Sequence, residues 1–127
     1  MNPEYKDVII IDDDLGVCEV LSLYCENLGI FRNIVVANDG ALGYAKLKNQ
    51  KFSLILLDIN MPKKSGIDIL EKLSNTNEEN SPRNVIIVSG EVKQASLQLA
   101  LRQGVKIFLI KPFDEKSFVE KVKLVIA

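Results

Sequence analysis

The chain contains no histidine and no tryptophan. Without an imidazole it cannot build a histidine-dependent catalytic triad or a histidine-ligated metal site, nor carry a phosphohistidine of its own. Cysteine is scarce. Cys18 and Cys25 stand seven residues apart in a helical pattern, a rise of about 10 Å that is too long for a disulfide between them. They read as two small buried or half-buried apolar side chains. Charge of one sign is also missing: 16 basic against 17 acidic residues leave a net charge of −1, so no bulk field favours direct contact with nucleic acid or an anionic membrane. Apolar runs such as Val8-Ile9-Ile10-Ile11 fall far short of a membrane span. The opening Met1-Asn2-Pro3-Glu4 is no basic segment leading into an apolar one, so no secretory signal is read. A cytoplasmic protein is expected.

What is present is an alternation of strand and helix patterns within 127 residues, a length suited to one domain with a real core, taken here as residues 1–127. Strands are expected at Val8 to Ile11, Ile34 to Ala37, Ser53 to Leu57, Val85 to Val88 and Ile107 to Ile110. These runs are almost wholly apolar, as parallel strands covered on both faces are. Helices are expected at Leu15 to Leu28, from a cap at Asn38 or Asp39 to Asn49, at Ile67 to Leu73, at Val92 to Gln103 and at Asp114 to Ile126. In the fourth, Leu97, Ala100 and Leu101 are expected to face inward; Ser74 to Asn84, polar and containing Pro82, is expected to be a loop. The alternation predicts a three-layer α/β domain with a mostly parallel sheet.

Ligands of such sheets gather beyond the carboxyl ends of the strands. There the sequence places Asp12-Asp13-Asp14 after the first strand, Asp58 after the third, Ser89 after the fourth and Lys111 after the fifth. One aspartate, Asp14, is enough to cap the following helix. Adjacent carboxylates repel, and the surplus is explained by a cation; all-oxygen ligands and the lack of histidine point to Mg²⁺ or a close analogue. A carboxylate held beside such an ion, here Asp58, can act as a nucleophile toward phosphorus, with Lys111 taking phosphoryl charge and Ser89 donating a hydrogen bond.

Ile11-Asp12-Asp13-Asp14, Leu57-Asp58-Ile59-Asn60-Met61-Pro62 with Gly66, Val88-Ser89-Gly90 and Phe108-Leu109-Ile110-Lys111-Pro112-Phe113 together resemble the receiver domain of bacterial response regulators, the CheY-like superfamily. The likeness covers essentially the whole chain, with four motifs in the family's order and spacing. It implies a flavodoxin-like, doubly wound (βα)5 sheet of order 2-1-3-4-5. It implies that Asp58 takes a phosphoryl group from the phosphohistidine of a sensor histidine kinase or histidine phosphotransfer protein. Asp13 and Asp58 would bind Mg²⁺ directly, Asp12 largely through water, and the backbone carbonyl of Asn60 would add a ligand. Phe108 would change rotamer as Ser89 moves, biasing a surface of helix four, strand five and helix five toward a downstream protein target or an output domain. The resemblance further implies a cis Lys111–Pro112 bond and a role for Asn60 and Glu91 in tuning hydrolysis. The chain would be a phosphoacceptor, not an enzyme beyond assisting its own phosphotransfer and dephosphorylation.

Two positions depart from the family pattern. Ser89 stands where threonine is commoner. Lys106 stands where an acid often supports a salt-bridged dimer of DNA-binding regulators, which puts such a dimer in doubt. Other classes fit worse. A haloacid-dehalogenase-like phosphatase needs an acid at position 60, which is asparagine, and no Gly-x-x-x-x-Gly-Lys-Ser/Thr run supports a P-loop. A flavin-binding domain of similar fold leaves the acids unexplained, and an inert interaction module has no need of Asp12, Asp13, Asp58, Ser89 and Lys111 together. A stand-alone receiver is expected over the first domain of a longer regulator.

Overall fold

A computed structural model describes residues 6–61, 66–76, 80–91 and 93–126. The elements are β1 (Lys6–Ile11), α1 (Leu15–Leu28), β2 (Phe31–Ala37), α2 (Gly40–Asn49), β3 (Leu54–Leu57), α3 (Gly66–Thr76), a 3-10 turn (Pro82–Asn84), β4 (Val85–Ser89), α4 (Gln94–Arg102), β5 (Ile107–Ile110) and α5 (Glu115–Val125). The strands form one sheet of order β2-β1-β3-β4-β5, with every neighbouring pair parallel. This is the order that the resemblance implies.

Alternation along the strands decides which core each residue joins. From β1, Ile9 and Ile11 turn to a core shared with Ile55 and Leu57 of β3, Leu47 of α2, Ile69 and Leu70 of α3 and Ala100 of α4. Val8 and Ile10 turn the other way, onto Cys18 and Leu21 of α1 and Phe118 and Val122 of α5. Two covered faces explain why β1, β3 and β4 read as unbroken apolar runs. Burying one such aliphatic side chain contributes roughly 1.5–3 kcal/mol. The helix starts follow from capping: Asp14 accepts from the amides of Gly16 and Val17, Asp39 from that of Leu42, and Asp114 with Ser117 closes a reciprocal box on α5. Gly29 ends α1 at φ 69°, in the left-handed region.

Several expectations need correction. β2 begins at Phe31, because Arg32 and Asn33 continue the pairing of an edge strand despite their polarity. α3 runs on to Thr76, and the polar stretch after it contains the 3-10 turn, started by Ser81 accepting from the Arg83 amide. α4 begins at Gln94 and ends at Arg102; Val92, its expected start, lies outside the described residues. Leu101 faces solvent at 51% exposure. The covered face of α4 is carried by Ala100, with Leu97 and Leu99 half-buried beside it. No helix among the described residues is long and apolar enough to cross a membrane.

The end of the sheet where the strands begin is tied by polar groups. Asp7 accepts from Arg32 Nε and Nη2 at 3.2 and 3.0 Å, Asn33 at 3.2 Å and Gln50 at 2.9 Å. Nearby, the buried Asn80 carboxamide accepts from the Phe52 amide at 2.7 Å and donates to the Leu47 and Gln50 carbonyls at 2.7 and 2.8 Å. It thereby joins the end of α2 and the approach to β3 to the segment before β4. Truncating it strands buried backbone groups, each costing about 1–3 kcal/mol when left unpaired. Asn80→Ala is therefore expected to lower unfolding stability by about 3 kcal/mol in urea titration; a loss below roughly 0.5 kcal/mol, the range of ordinary surface substitutions, would show that these bonds do not hold the segment.

Candidate functional site

The parallel strands deliver their last residues to one end of the sheet, opposite the Asp7 network. Asp12 follows β1, Asp58 follows β3, Ser89 ends β4 and Lys111 follows β5. All four are brought together. Asp12 is buried, and its Oδ1 accepts the Asp14 amide at 2.9 Å while its Oδ2 accepts Lys111 Nζ at 3.0 Å. Asp58 is buried as well; its Oδ1 accepts the Asn60 amide at 3.0 Å and the Ser89 hydroxyl at 3.3 Å, and its Oδ2 lies 3.7 Å from Lys111 Nζ. Asp13, exposed, completes the group: one carboxylate oxygen each from Asp12, Asp13 and Asp58 lie within 4.8 Å of one another.

Asp14 does not belong to this trio, since its side chain turns back onto the helix amides of α1. Phe108 sits on β5, half-buried against the core below Ile87, its partner in the β4–β5 register. The Lys111–Pro112 peptide bond is cis.

The electrostatics are unbalanced. Burial and the charge of Asp58 raise the Asp12 pKa above its ordinary value, although the Asp14 amide and Lys111 act the other way. Lys111 is held above the usual lysine value: burial opposes its charge, but the bond to Asp12 and the charges of Asp12, Asp58 and Asp14 outweigh it. The lysine stays cationic, and three carboxylates against one ammonium leave an excess of negative charge. A divalent cation relieves that excess, and the donors are hard oxygens with no thiolate or imidazole among them, the set that Mg²⁺ takes. Cys18 lies just behind the trio, its thiol donating to the Asp12 carbonyl at 3.3 Å. Burial and the neighbouring acids push that thiol up to about 11, so it remains protonated and takes no part as a ligand.

Two contacts were not foreseen from the sequence. Lys111 pairs first with Asp12 and only at longer range with Asp58. The Asn60 side chain reaches across to β4, donating to Ser89 Oγ at 2.9 Å and to the Glu91 carbonyl at 2.7 Å. A polar residue directly after the Asp58 turn is a signal for some such contact, but not for its partner. Gly66, the first residue of α3, lies against the site from behind: a Cβ there would stand 2.6 Å from the Asp58 carbonyl oxygen and 2.7 Å from the Ile59 Cα.

Comparison with known proteins agrees with this geometry. Residues 8–123 match the family model described as the response regulator receiver domain. The transcriptional regulatory protein CpxR of Escherichia coli (strain K12) is 31% identical over 119 residues, which cover 94% of this chain and 48% of that protein. The chain thus spans about half the length of CpxR. Chemotaxis protein CheY-3 of Vibrio cholerae is 30% identical over 115 residues, covering 91% of this chain and 87% of its own length. Among solved structures, a CheY-like response regulator receiver domain protein from Methanospirillum hungatei superposes with a TM-score of 0.83 at 27% identity, covering 94% of this chain and 91% of that one. A chain in the crystal structure of the CheX-CheY-BeF3-Mg+2 complex from Borrelia burgdorferi does so with a TM-score of 0.84 at 28% identity, covering 96% and 90%. A match that runs from the first strand into the last helix, shared by transcriptional and chemotaxis relatives alike, makes this chain a member of the response regulator receiver domain family.

Proposed function

We propose that this receiver accepts a phosphoryl group on Asp58 from the phosphohistidine of a sensor histidine kinase or histidine phosphotransfer protein, and that the modified pocket switches the surface of α4, β5 and α5 for a downstream target or output domain. The observation that carries the reading is the convergence on Asp58. A buried carboxylate has a hydroxyl 3.3 Å away, an ammonium 3.7 Å away and two further carboxylates with oxygens inside 4.8 Å.

The reaction exchanges one bond for another. A P–O bond forms to an Asp58 oxygen as the P–N bond to the donor imidazole breaks; the imidazole keeps the electron pair and takes up a proton. Asp13 and Asp58, with Asp12 through water and the Asn60 backbone carbonyl, would hold Mg²⁺, which when bound would supply charge neutralisation for the incoming phosphoryl group. Lys111, already held cationic beside Asp58, takes part of the charge that arrives with the phosphoryl group. The Ser89 hydroxyl, aimed at Asp58, is placed to donate to a phosphoryl oxygen. The donor approaches over the open hollow bordered by Val17, Val20, Pro112 and Phe113. Phe108, half-buried on β5, is the side chain that follows Ser89, and the exposed Leu101 and Ile110 on the same flank give the switched surface its apolar contacts. Beyond assisting its own phosphorylation and hydrolysis the chain has no reaction of its own. A cytoplasmic setting, where the buried thiols of Cys18 and Cys25 stay reduced, suits this role.

The test is incubation with acetyl phosphate and Mg²⁺ followed by intact-mass spectrometry. The native chain is expected to gain one phosphoryl group, and Asp58→Asn to gain none. No gain by the native chain points to an interaction module that keeps the fold alone.

A further inference from the structure

Asn60 offers two amide protons, and both cross from the turn after β3 to the end of β4: one to Ser89 Oγ at 2.9 Å, the other to the Glu91 carbonyl at 2.7 Å. A single exposed carboxamide therefore fastens both ends of the Ser89-Gly90-Glu91 segment. The Ser89 backbone is also paired to β5, the Lys111 amide donating to the Ser89 carbonyl at 2.9 Å, but that bond fixes neither the Ser89 hydroxyl nor the Glu91 carbonyl. Gly90 is not tightly packed, since a Cβ placed there would meet only the Lys111 side chain, at 3.9 Å. The Ser89 hydroxyl's own bonds, to Asp58 Oδ1 at 3.3 Å and the Glu91 carbonyl at 3.4 Å, are both long. The short side-chain bonds to the segment are the ones that Asn60 makes.

We infer that the Asn60 side chain is a latch that holds Ser89 and the Glu91 carbonyl in the resting arrangement and so sets how readily the receiver switches; the inference rests on the phosphoacceptor reading above. A phosphoryl group on Asp58 brings new acceptors for the Ser89 hydroxyl. For Ser89 to reach them, Oγ leaves the Asn60 amide, and the turn carrying Glu91 is freed with it. The latch acts through Ser89, which makes Asn60 a positioning residue. Each bond is worth about 0.5–1.5 kcal/mol net, so losing both shifts the resting balance roughly tenfold. The backbone carbonyl of residue 60 is untouched by side-chain truncation.

The experiment titrates beryllofluoride, a phosphoryl mimic, with Mg²⁺ present, into the native chain, Asn60→Ala, Ser89→Ala and the double variant, reading the Gly90 and Glu91 amide signals by NMR. Asn60→Ala is expected to reach half-saturation at roughly one-tenth of the native concentration, about the effect of two net hydrogen bonds. In the Ser89→Ala background the same change should give only about threefold, because the tie to Glu91 alone remains to be lost. Before any addition, the Gly90 and Glu91 signals of Asn60→Ala should already lie displaced toward their beryllofluoride positions. An unchanged or weaker response of Asn60→Ala, or resting signals that stay in place, overturns the latch while leaving the phosphoacceptor reading intact. A native chain that binds no beryllofluoride overturns both.

Discussion

Asp13→Asn is expected to weaken Mg²⁺ binding on the order of a hundredfold while leaving the fold as stable as before. Asp13 is one of three carboxylates with oxygens inside 4.8 Å, and the only exposed one. Two unit charges 4 Å apart attract by about 1 kcal/mol in water and about 4 kcal/mol at an effective dielectric of 20. A half-solvated carboxylate facing a doubly charged ion falls between those limits, which gives the hundredfold figure. The opposite holds without the ion. Asp13 touches no core, and its charge adds to the repulsion within the trio, so the metal-free variant should be no less stable, and slightly more so. The measurement is calorimetric titration with Mg²⁺, paired with thermal unfolding with and without it. Binding stabilises the folded state alone, so Mg²⁺ should raise the Tm of the native chain and leave the variant's nearly unmoved at the same concentration. Equal affinities for the two chains would show that the ion, if bound, sits on other ligands.

Gly66→Ala is expected to cost about 1–2 kcal/mol of stability, although alanine is the better helix residue. The propensity gain at a helix position is at most about 1 kcal/mol. Against it stands a Cβ placed 2.6 Å from the Asp58 carbonyl oxygen, 2.7 Å from the Ile59 Cα and 2.9 Å from Ile59 Cγ2. The first two are backbone atoms, so relief requires moving either α3 or the turn that carries Asp58, and overpacking of this kind costs about 1–3 kcal/mol. The steric effect wins. Because the turn that moves holds Asp58, the proposed phosphoacceptor, phosphorylation should slow along with the loss of stability. Gly43→Ala is the control. Its Cβ would meet Cδ1 and Cγ2 of the buried Ile11 at 2.8 Å, and repacking one side chain displaces no backbone, so its loss should be smaller. Urea denaturation of the three chains checks the ordering; a Gly66→Ala midpoint at or above the native one would mean that α3 rides more loosely on β3 than these contacts imply.

The strands and the cluster at their ends are legible in the sequence for the same reason. Val8 to Ile11 or Leu54 to Leu57 can be read as continuous apolar runs because both faces of the sheet are covered, and the chemistry is then found by asking which residue comes next. Asp12, Asp58, Ser89 and Lys111 answered that question directly. Three kinds of feature were not legible in the sequence. Phe31 to Asn33 belong to β2, yet pairing at a sheet edge is made by the backbone and leaves no mark in side-chain polarity. Leu101 is apolar and exposed, because helical spacing allows more than one face and only the contacts of Ala100 choose between them. The bridges were hidden for a further reason. Asn60 to Ser89 and Asn80 to Phe52 each span about thirty residues of sequence, 29 and 28 by position. A lone asparagine after a strand or in a loop does not name its partner until the topology brings the two segments side by side.

The bond from the Cys18 thiol to the Asp12 carbonyl has a practical consequence. With no tryptophan in the chain, the pocket lacks the fluorophore that would report its occupancy most conveniently. The S–H stretch supplies a substitute, since it absorbs in an infrared window clear of the amide and carboxylate bands and responds to the strength of the bond it donates. Cys18 touches the backbone of the first acid in the pocket, while Cys25, buried two helical turns farther along α1, serves as an internal reference. The molecule thus carries its own vibrational gauge, readable without label or substitution.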